Sequence, residues 1–319
     1  MPRETSGRNI IYDSASTNNY KLVNFGDFII HLRSFEGGLE MANESGIVSP
    51  AYTILRNVKP IAYGFYKAYF RTNEFINHVL SKSVEGIRDG KQISYEAFKW
   101  LPIPYCSLPE QEKIAAFLSL VDARIEKQRQ LVEALKKYKR GLLSAIFDHI
   151  SGNEKTTLGS ICNITTGKLD ANAMVDGGAY RFYTCAKEYF QIDTYAFDTD
   201  ALLISGNGAN VGYIHHYNGK FNAYQRTYVL DSFKKNIMYI YYYLEAKLHP
   251  RIEAEKKAGN TPYIVLSTLS DMEIIVPNPT KQESIAQLLC KFDKFIKAES
   301  YTLELYQKQK DGLLQQMFI

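Results

Sequence analysis

Tyr224-Gln225-Arg226-Thr227 sets an aromatic ring, an amide and a guanidinium side by side. Gln pairs with the edge of adenine and Arg with that of guanine, so these residue types suit base reading in a duplex groove. The plain alternative is a solvated loop. Lys256-Lys257-Ala258-Gly259-Asn260-Thr261 places two ammonium groups and two short polar side chains after a helical stretch. That is chemistry for phosphate contact, or simply a helix end. In the first half of the chain Arg33, Ser34, Arg88, Lys91 and Gln92 stand at comparable places with comparable types. A further basic run, Lys136-Lys137-Tyr138-Lys139-Arg140, suits a duplex neighbour or a solvated helix face.

Other spacings exclude chemistry. The glycine-rich Ser205-Gly206-Asn207-Gly208-Ala209-Asn210-Val211-Gly212 has neither the Lys-Ser/Thr ending nor the helix that a phosphate cradle requires, and reads as a tight turn. His215-His216 has no third ligand at metal-binding spacing, and adjacent strand residues point to opposite faces. Asn278-Pro279-Thr280-Lys281 is not the Asn-Pro-Pro-Tyr/Phe motif of an adenine methyltransferase. No Gly-x4-Gly-Lys-Ser/Thr is present for a nucleotide-driven motor, and no carboxylate cluster suits a nuclease metal pair. The expectation is a protein with no catalytic site, no metal and no cofactor of its own.

Those groups need elements to position them. The 319 residues suggest about two domains. A formal net charge of +4 is compatible with nucleic acid without being diagnostic of it. The hydrophobic fraction, 45%, is that of an ordinary soluble protein, and the 24 tyrosines suit wet interfaces. No apolar run reaches the roughly 18 residues of a membrane helix, and the first residues carry no apolar leader. Cys106, Cys162, Cys185 and Cys290 are scattered and read as reduced thiols, which gives a cytoplasmic expectation.

The chain also repeats itself. Residues 109–147 align with residues 280–318 without a gap, an offset of 171 (280 − 109). Matches include Gln111/Gln282, Glu112/Glu283, Asp122/Asp293, Gly141/Gly312 and Phe147/Phe318. Both copies carry a heptad. In the first, one seam position is Ile114, Val121, Gln128, Leu135, Leu142 and the other Leu118, Ile125, Val132, Lys139, Ile146. In the second these become Ile285, Phe292, Glu299, Tyr306, Leu313 and Leu289, Ile296, Leu303, Lys310, Met317. Alternating spacings of three and four over about five heptads predict two long helices that pack on each other as a coiled coil. The alternative is two amphipathic helices, each buried on its own globule. A mixed α/β segment precedes each helix. In the second, strands are predicted at 201–204, 227–230 and 272–276, a helix at 236–247, and a tight hairpin at Asn218-Gly219. In the first, residues 27–30 answer 200–203, residues 52–55 answer 228–230, and residues 101–104 answer 274–277. Projected back by 171, residues 157–166 have no counterpart in this sequence. The fold class read from this is α+β: a shortened first head (1–108), a long helix (109–150), a linker (151–156), a second head (157–279) and a second long helix (280–319).

This layout resembles the specificity subunits of type I restriction–modification enzymes. Gly26-Asp27-Phe28-Ile29-Ile30, Arg33-Ser34-Phe35-Glu36-Gly37-Gly38 and Gly46-Ile47-Val48-Ser49-Pro50-Ala51-Tyr52 look like the middle of that family's target-recognition domain. Pro109-Glu110-Gln111-Glu112-Lys113-Ile114-Ala115 looks like the start of its central helix. Pro279-Thr280-Lys281-Gln282-Glu283-Ser284-Ile285 is a variant start of the distal one, with Lys281 where Glu is usual. The resemblance implies that two recognition domains each read half of a split site in double-stranded DNA. It implies that the helices pair antiparallel and dock two methyltransferase subunits, which bind S-adenosylmethionine, while a motor subunit joins indirectly. In this reading Asn207 and Asn210 also lie near DNA. A helix of about 39 residues is about 58 Å long, enough to hold two readers over one and a half duplex turns apart. The alternative is a coiled-coil scaffold whose shortened heads no longer bind DNA.

Overall fold

The computed structural model describes residues 14–30, 38–85, 92–93, 95–151, 154–255 and 263–318. It divides into two compact units, residues 1–130 with 300–319, and residues 131–299.

In the first unit β1 (Lys21–Val23) pairs antiparallel with β4 (Gly46–Val48), and β2 (Phe28–Ile30) lies between β3 (Glu40–Met41) and β5 (Thr53–Leu55). Helix α1 (Tyr63–Tyr69) follows, then the short pair β6 (Val84–Glu85) and β7 (Gln92–Ile93), then α2 (Tyr95–Phe98). The alternation in β2 explains its burial: Phe28 and Ile30 face the core, and Ile29 faces away. Phe28 meets Phe70 edge to face, beside Phe65, Tyr66, Tyr69 and Phe75. Asp27 is buried but takes a two-pronged ion pair from Arg56 at 2.6 and 2.8 Å, which holds its carboxyl below the usual carboxylate range. The chain then enters α3 (Leu108–Asp148).

In the second unit β8 (Glu154–Thr157), α4 (Leu158–Ile161) and β9 (Asn163–Thr166) open the head. β9 forms one edge of a six-stranded sheet with β10 (Tyr180–Tyr183), β11 (Phe190–Ile192), β12 (Phe197–Ser205), β13 (Ile214–Ala223) and β14 (Thr227–Asp231), in the order β11-β10-β13-β12-β14-β9. Helix α5 (Ile237–Glu255) crosses one face of the sheet, its first turn capped by Asn236, whose side chain accepts from Tyr239 N at 2.9 Å. Helix α6 (Leu266–Ser270) leads to β15 (Glu273–Val276), which pairs with β8, and then to α7 (Pro279–Met317).

Three sequence expectations are corrected. Asn218-Gly219 is not a hairpin turn: β13 runs straight through it, with Asn218 opposite Asp200 and Gly219 opposite Thr199. A two-residue turn of that kind needs positive φ at both positions; Gly219 has it and Asn218 does not. The hairpin lies instead at the glycine-rich segment between β12 and β13. The matching of residues 27–30 to 200–203 is also one residue early. Phe28 and Ile30 face their core as Leu202 and Ile204 face theirs, and the pair Phe28↔Leu55 occupies the register of Leu202↔Leu230. A one-residue slip would reverse every face, so packing fixes what the letters left ambiguous. Residues 101–104 form no strand, unlike their counterpart β15.

Each unit is closed by both long helices in the same way. Gln111 is fully buried; its Oε1 accepts from Ala62 N at 3.0 Å, ahead of α1, and its Nε2 donates to Cys106 O at 2.8 Å. Gln282, buried likewise, accepts from Asn236 N at 3.1 Å, ahead of α5, and donates to Pro277 O at 2.8 Å. At the far helix ends Phe318 packs on Phe65 and Tyr69 in the first unit, and Phe147 on Tyr239 and Tyr243 in the second. Charges follow suit: Lys310 pairs with Asp122 at 2.5 Å in the first unit, and Lys139 with Asp293 at 2.6 Å in the second. Lys139 is almost fully buried and also pairs with Glu245 at 2.8 Å, so it does not join the basic run on a solvated face. Along α3 the shielded positions are the heptad ones, Ile114, Leu118, Val121, Ile125, Gln128, Val132 and Leu135, flanked by exposed neighbours. On α7 the heptad positions Ile285, Leu289, Phe292, Ile296, Glu299, Leu303 and Tyr306 are likewise shielded, but so are several neighbours, Ala286, Cys290, Asp293, Ser300 and Thr302 among them.

Replacing Gln282 by Leu strands the half-buried Asn236 N–H and the buried Pro277 carbonyl, a buried group left unpaired costing about 1–3 kcal/mol. The expected loss is about 2–4 kcal/mol by urea denaturation, and an unchanged midpoint would show that the clamp is dispensable.

Candidate functional site

The predicted base-reading residues sit on the turn between β13 and β14, and the backbone of that turn is gripped from three sides. Tyr224 N donates to Tyr183 O at 2.9 Å, and Gln225 N to Leu169 O at 2.9 Å. Gly206 N donates to Arg226 O at 2.9 Å, and Cys185 Sγ lies 3.4 Å from the same oxygen. Thr227 N closes the turn onto Tyr224 O at 2.8 Å. The side chains of Gln225 and Arg226 are exposed, and neither makes a hydrogen bond or ion pair among the described residues. A backbone held by this many bonds presents two donor-rich side chains whose carrier does not have to be ordered on binding.

Sequence proximity does not explain which segments meet here. The end of β9, the end of β10 and the glycine-rich hairpin converge on one rim of the sheet. Gly167 permits it, since a Cβ there would lie 1.9 Å from Ala223 O. Gly206 permits the hairpin, since its Cβ would lie 2.4 Å from Arg226 O. Gly208 and Gly212 turn the chain with φ of +80° and +81°. The hairpin therefore works as the tight turn its composition suggests, and its glycines make room for neighbouring backbone.

Other predicted residues divide. Asn207 is half-buried and bridges Tyr263, whose ring is exposed on the same rim; sequence reading missed Tyr263, and the high tyrosine count was its only signal. Lys168, also missed, is exposed next to Leu169. Asn210 faces inward: its Nδ2 donates to Cys185 O at 3.0 Å, which makes it a brace of the rim. Thr227 is removed from the candidate surface, because it is fully buried as the first residue of β14. Tyr224 is half-buried. Lys256, Lys257, Asn260 and Thr261, and in the first head Arg33, Ser34, Arg88 and Lys91, lie outside the described residues. Gln92 belongs to β7.

The histidines resolve as structural. His215 bonds Ala186 O at 3.1 Å between the rings of Tyr183 and Tyr213, and burial lowers its pKa, favouring the neutral form. His216 points the other way, to Asp200 at 2.7 Å. Among the described residues no three His, Cys, Asp or Glu side chains are placed to hold a metal ion, and no helix is long and apolar enough to cross a membrane.

Gly206→Ala should therefore loosen this rim. The added methyl meets a backbone oxygen that cannot rotate away, at an expected cost of about 1–3 kcal/mol. A thermal unfolding midpoint equal to that of the parent would count against the packing described.

A family profile described as the type I restriction modification DNA specificity domain matches residues 150–305. The type I restriction enzyme EcoDI specificity subunit of Escherichia coli is 40% identical over 132 residues, covering 41% of this chain. That alignment spans only 29% of the EcoDI subunit's length. A putative type I specificity subunit of Mycoplasma pneumoniae is 27% identical over 225 residues, 66% of this chain and 92% of that protein. In fold, the chain is similar to the crystal structure of a type I restriction–modification S subunit from M. genitalium, with a TM-score of 0.63 at 19% identity, over 94% of this chain and 84% of that one.

Proposed function

We propose that this chain, which belongs to the type I restriction–modification specificity subunits, reads a bipartite sequence in double-stranded DNA and docks methyltransferase subunits that carry out the chemistry. The observation that carries the reading is the rim of the second head: Gln225 and Arg226, exposed and unengaged among the described residues, on a turn held by bonds to three other segments. Arg bidentate to guanine and Gln bidentate to adenine each contribute about 1–3 kcal/mol of discrimination. Asn207, Tyr263 and Lys168 flank them, and Lys256 and Lys257, next in the chain to the rim's Tyr263 side, are assigned to phosphates. In the first head Arg33, Ser34, Arg88, Lys91 and Gln92 are assigned to the other half-site.

The two long helices are proposed to pair antiparallel along their heptad seams. The support is reciprocal: Asp122 with Lys310 in one unit, Asp293 with Lys139 in the other, each pair joining residues at matched positions of the repeat. A parallel pairing would place like residues opposite one another, and reciprocal pairs of this kind would not form. A spacer built this way fixes the separation of two half-sites and leaves the bases between them unread. Catalysis belongs to the partners; this subunit contributes address, with no cofactor of its own.

Titration of the purified complex with its methyltransferase partner, on cognate and scrambled duplexes, tests the assignment. Arg226→Ala and Gln225→Ala should each lower the cognate-to-scrambled ratio about 5- to 150-fold, as 1–3 kcal/mol requires. Lys257→Ala should weaken both duplexes alike and lower the salt slope by about one unit. An unchanged ratio for both rim variants moves the reader elsewhere. No salt-dependent duplex binding at all favours the scaffold alternative.

A further inference from the structure

Strand pairing puts the two heads in one register. In the first head Val23 lies opposite Gly46, and Phe28 lies opposite Met41 on one side and Leu55 on the other. In the second head Phe197 lies opposite Phe221, and Leu202 lies opposite His216 and Leu230. One shift relates these pairs: 174 for residues 23 and 28 (202 − 28), and 175 for residues 41, 46 and 55 (230 − 55). β4 therefore answers the end of β13, and β5 answers β14. The turn that joins β4 to β5, Ser49-Pro50-Ala51-Tyr52, stands where the second head has Tyr224-Gln225-Arg226-Thr227.

The local geometry of the two turns agrees. Tyr52 N donates to Ser49 O at 3.1 Å, as Thr227 N donates to Tyr224 O at 2.8 Å. Ser49 and Tyr224 are half-buried, and the two central residues of each turn are exposed. Each head stiffens its turn by different means. Gln225 N is tied to Leu169 O. Pro50 has no N–H to tie, and its ring holds φ at about −65°, at the turn position that favours proline. Ser49 Oγ accepts from Ala51 N at 3.4 Å, and Lys21 Nζ donates to Tyr52 O at 2.8 Å. What the turns present differs in kind. Gln225 and Arg226 offer hydrogen-bonding groups, whereas the side chains of Pro50 and Ala51 offer only carbon.

We propose that Pro50 and Ala51 are base-contacting residues of the first head, and that they select thymine in its half-site through the thymine methyl. This rests on the DNA-reading role proposed for the second head's turn. Among the groups that base edges show in the major groove, the apolar one is the C5 methyl of thymine, and a small apolar side chain such as alanine suits it. A guanine, adenine or cytosine edge pressed against the same two side chains loses water from a polar atom and gains no partner. The half-sites are then read by unlike chemistry at matched places of the fold: polar edges by Gln225 and Arg226, a methyl by Pro50 and Ala51. Selection at the first turn is correspondingly the weaker of the two.

The experiment uses the full-length chain in complex with its methyltransferase partner and a duplex selected from a randomised library. The half-site whose preference Arg226→Ala relaxes belongs to the second head, and the other to the first. Each thymine of the first half-site is replaced in turn by deoxyuridine, which removes the C5 methyl alone. We expect one position to lose about fourfold in affinity, the worth of one methyl-sized group taken out of water. Ala51→Gly should bind the thymine and deoxyuridine duplexes alike at that position. Grafting Pro50→Gln with Ala51→Arg should move the base selected there from thymine to guanine or adenine and leave the second half-site unchanged. Selection reads only folded complex, so if the graft does not fold the deoxyuridine comparison decides. A first half-site with no thymine, or with none that deoxyuridine weakens, overturns the assignment and leaves the second head's turn standing. So does an Ala51→Gly chain that still loses fourfold on deoxyuridine, or a folded graft that keeps the parent's preference. Selection of no duplex at all, or Arg226→Ala without effect on either half-site, overturns the DNA-reading role and this assignment together.

Discussion

A buried primary amide at the first turn of each long helix is the interaction on which the rest of the structure depends. A glutamine side chain has one acceptor oxygen and a donor nitrogen, and both Gln111 and Gln282 spend them on the same two main-chain groups. The accepted bond comes from the residue preceding the head's core helix, and the donated one goes to the segment entering the long helix. Breaking either leaves a buried polar group without a partner, a cost larger than the bond's net worth. The head and the helix that leaves it are thereby fixed in angle, and the rim proposed to read DNA inherits that angle. The aromatic contacts of Phe147 and Phe318 and the ion pairs of Lys139 and Lys310 add the complementary hold at the far helix ends.

The same economy governs the rim of the second head. Backbone groups there are satisfied almost entirely by other backbone groups, so the side chains of Gln225 and Arg226 are not needed to hold the turn. Asn210 and the buried Thr227 show the opposite allocation: similar polar types, equally suited to nucleic acid on paper, serve the frame or lie inside it. Burial separates the two groups, and residue type alone does not.

Much of this was legible in the sequence because helices of this length advertise their period. The two long helices, the matched lysines and the paired glutamines all follow from a gapless 171-residue repeat. Strands β12, β14 and β15 were visible as short apolar runs. What was not legible depended on neighbours distant in the chain. Asn218-Gly219 carries the strongest local turn signal, yet pairing with β12 on one side holds it extended. The one-residue shift between the two heads is invisible in letters as alike as Phe28-Ile29-Ile30 and Ala201-Leu202-Leu203, and is decided by which face meets the core helix. Lys139 reads both as a heptad seam position and as one of five basic or aromatic residues on a helix surface, and its pairing with Glu245 and Asp293 decides for the inward one.

The central claim is that this chain supplies the sequence address of a methyltransferase complex. Single-molecule methylome sequencing of cells with and without the gene measures that address directly. The account predicts a bipartite methyl-adenine motif, two short half-sites separated by an unread spacer, that is present with the gene and absent without it. Identical methylomes from the two strains, in cells expressing the methyltransferase partner, would contradict it.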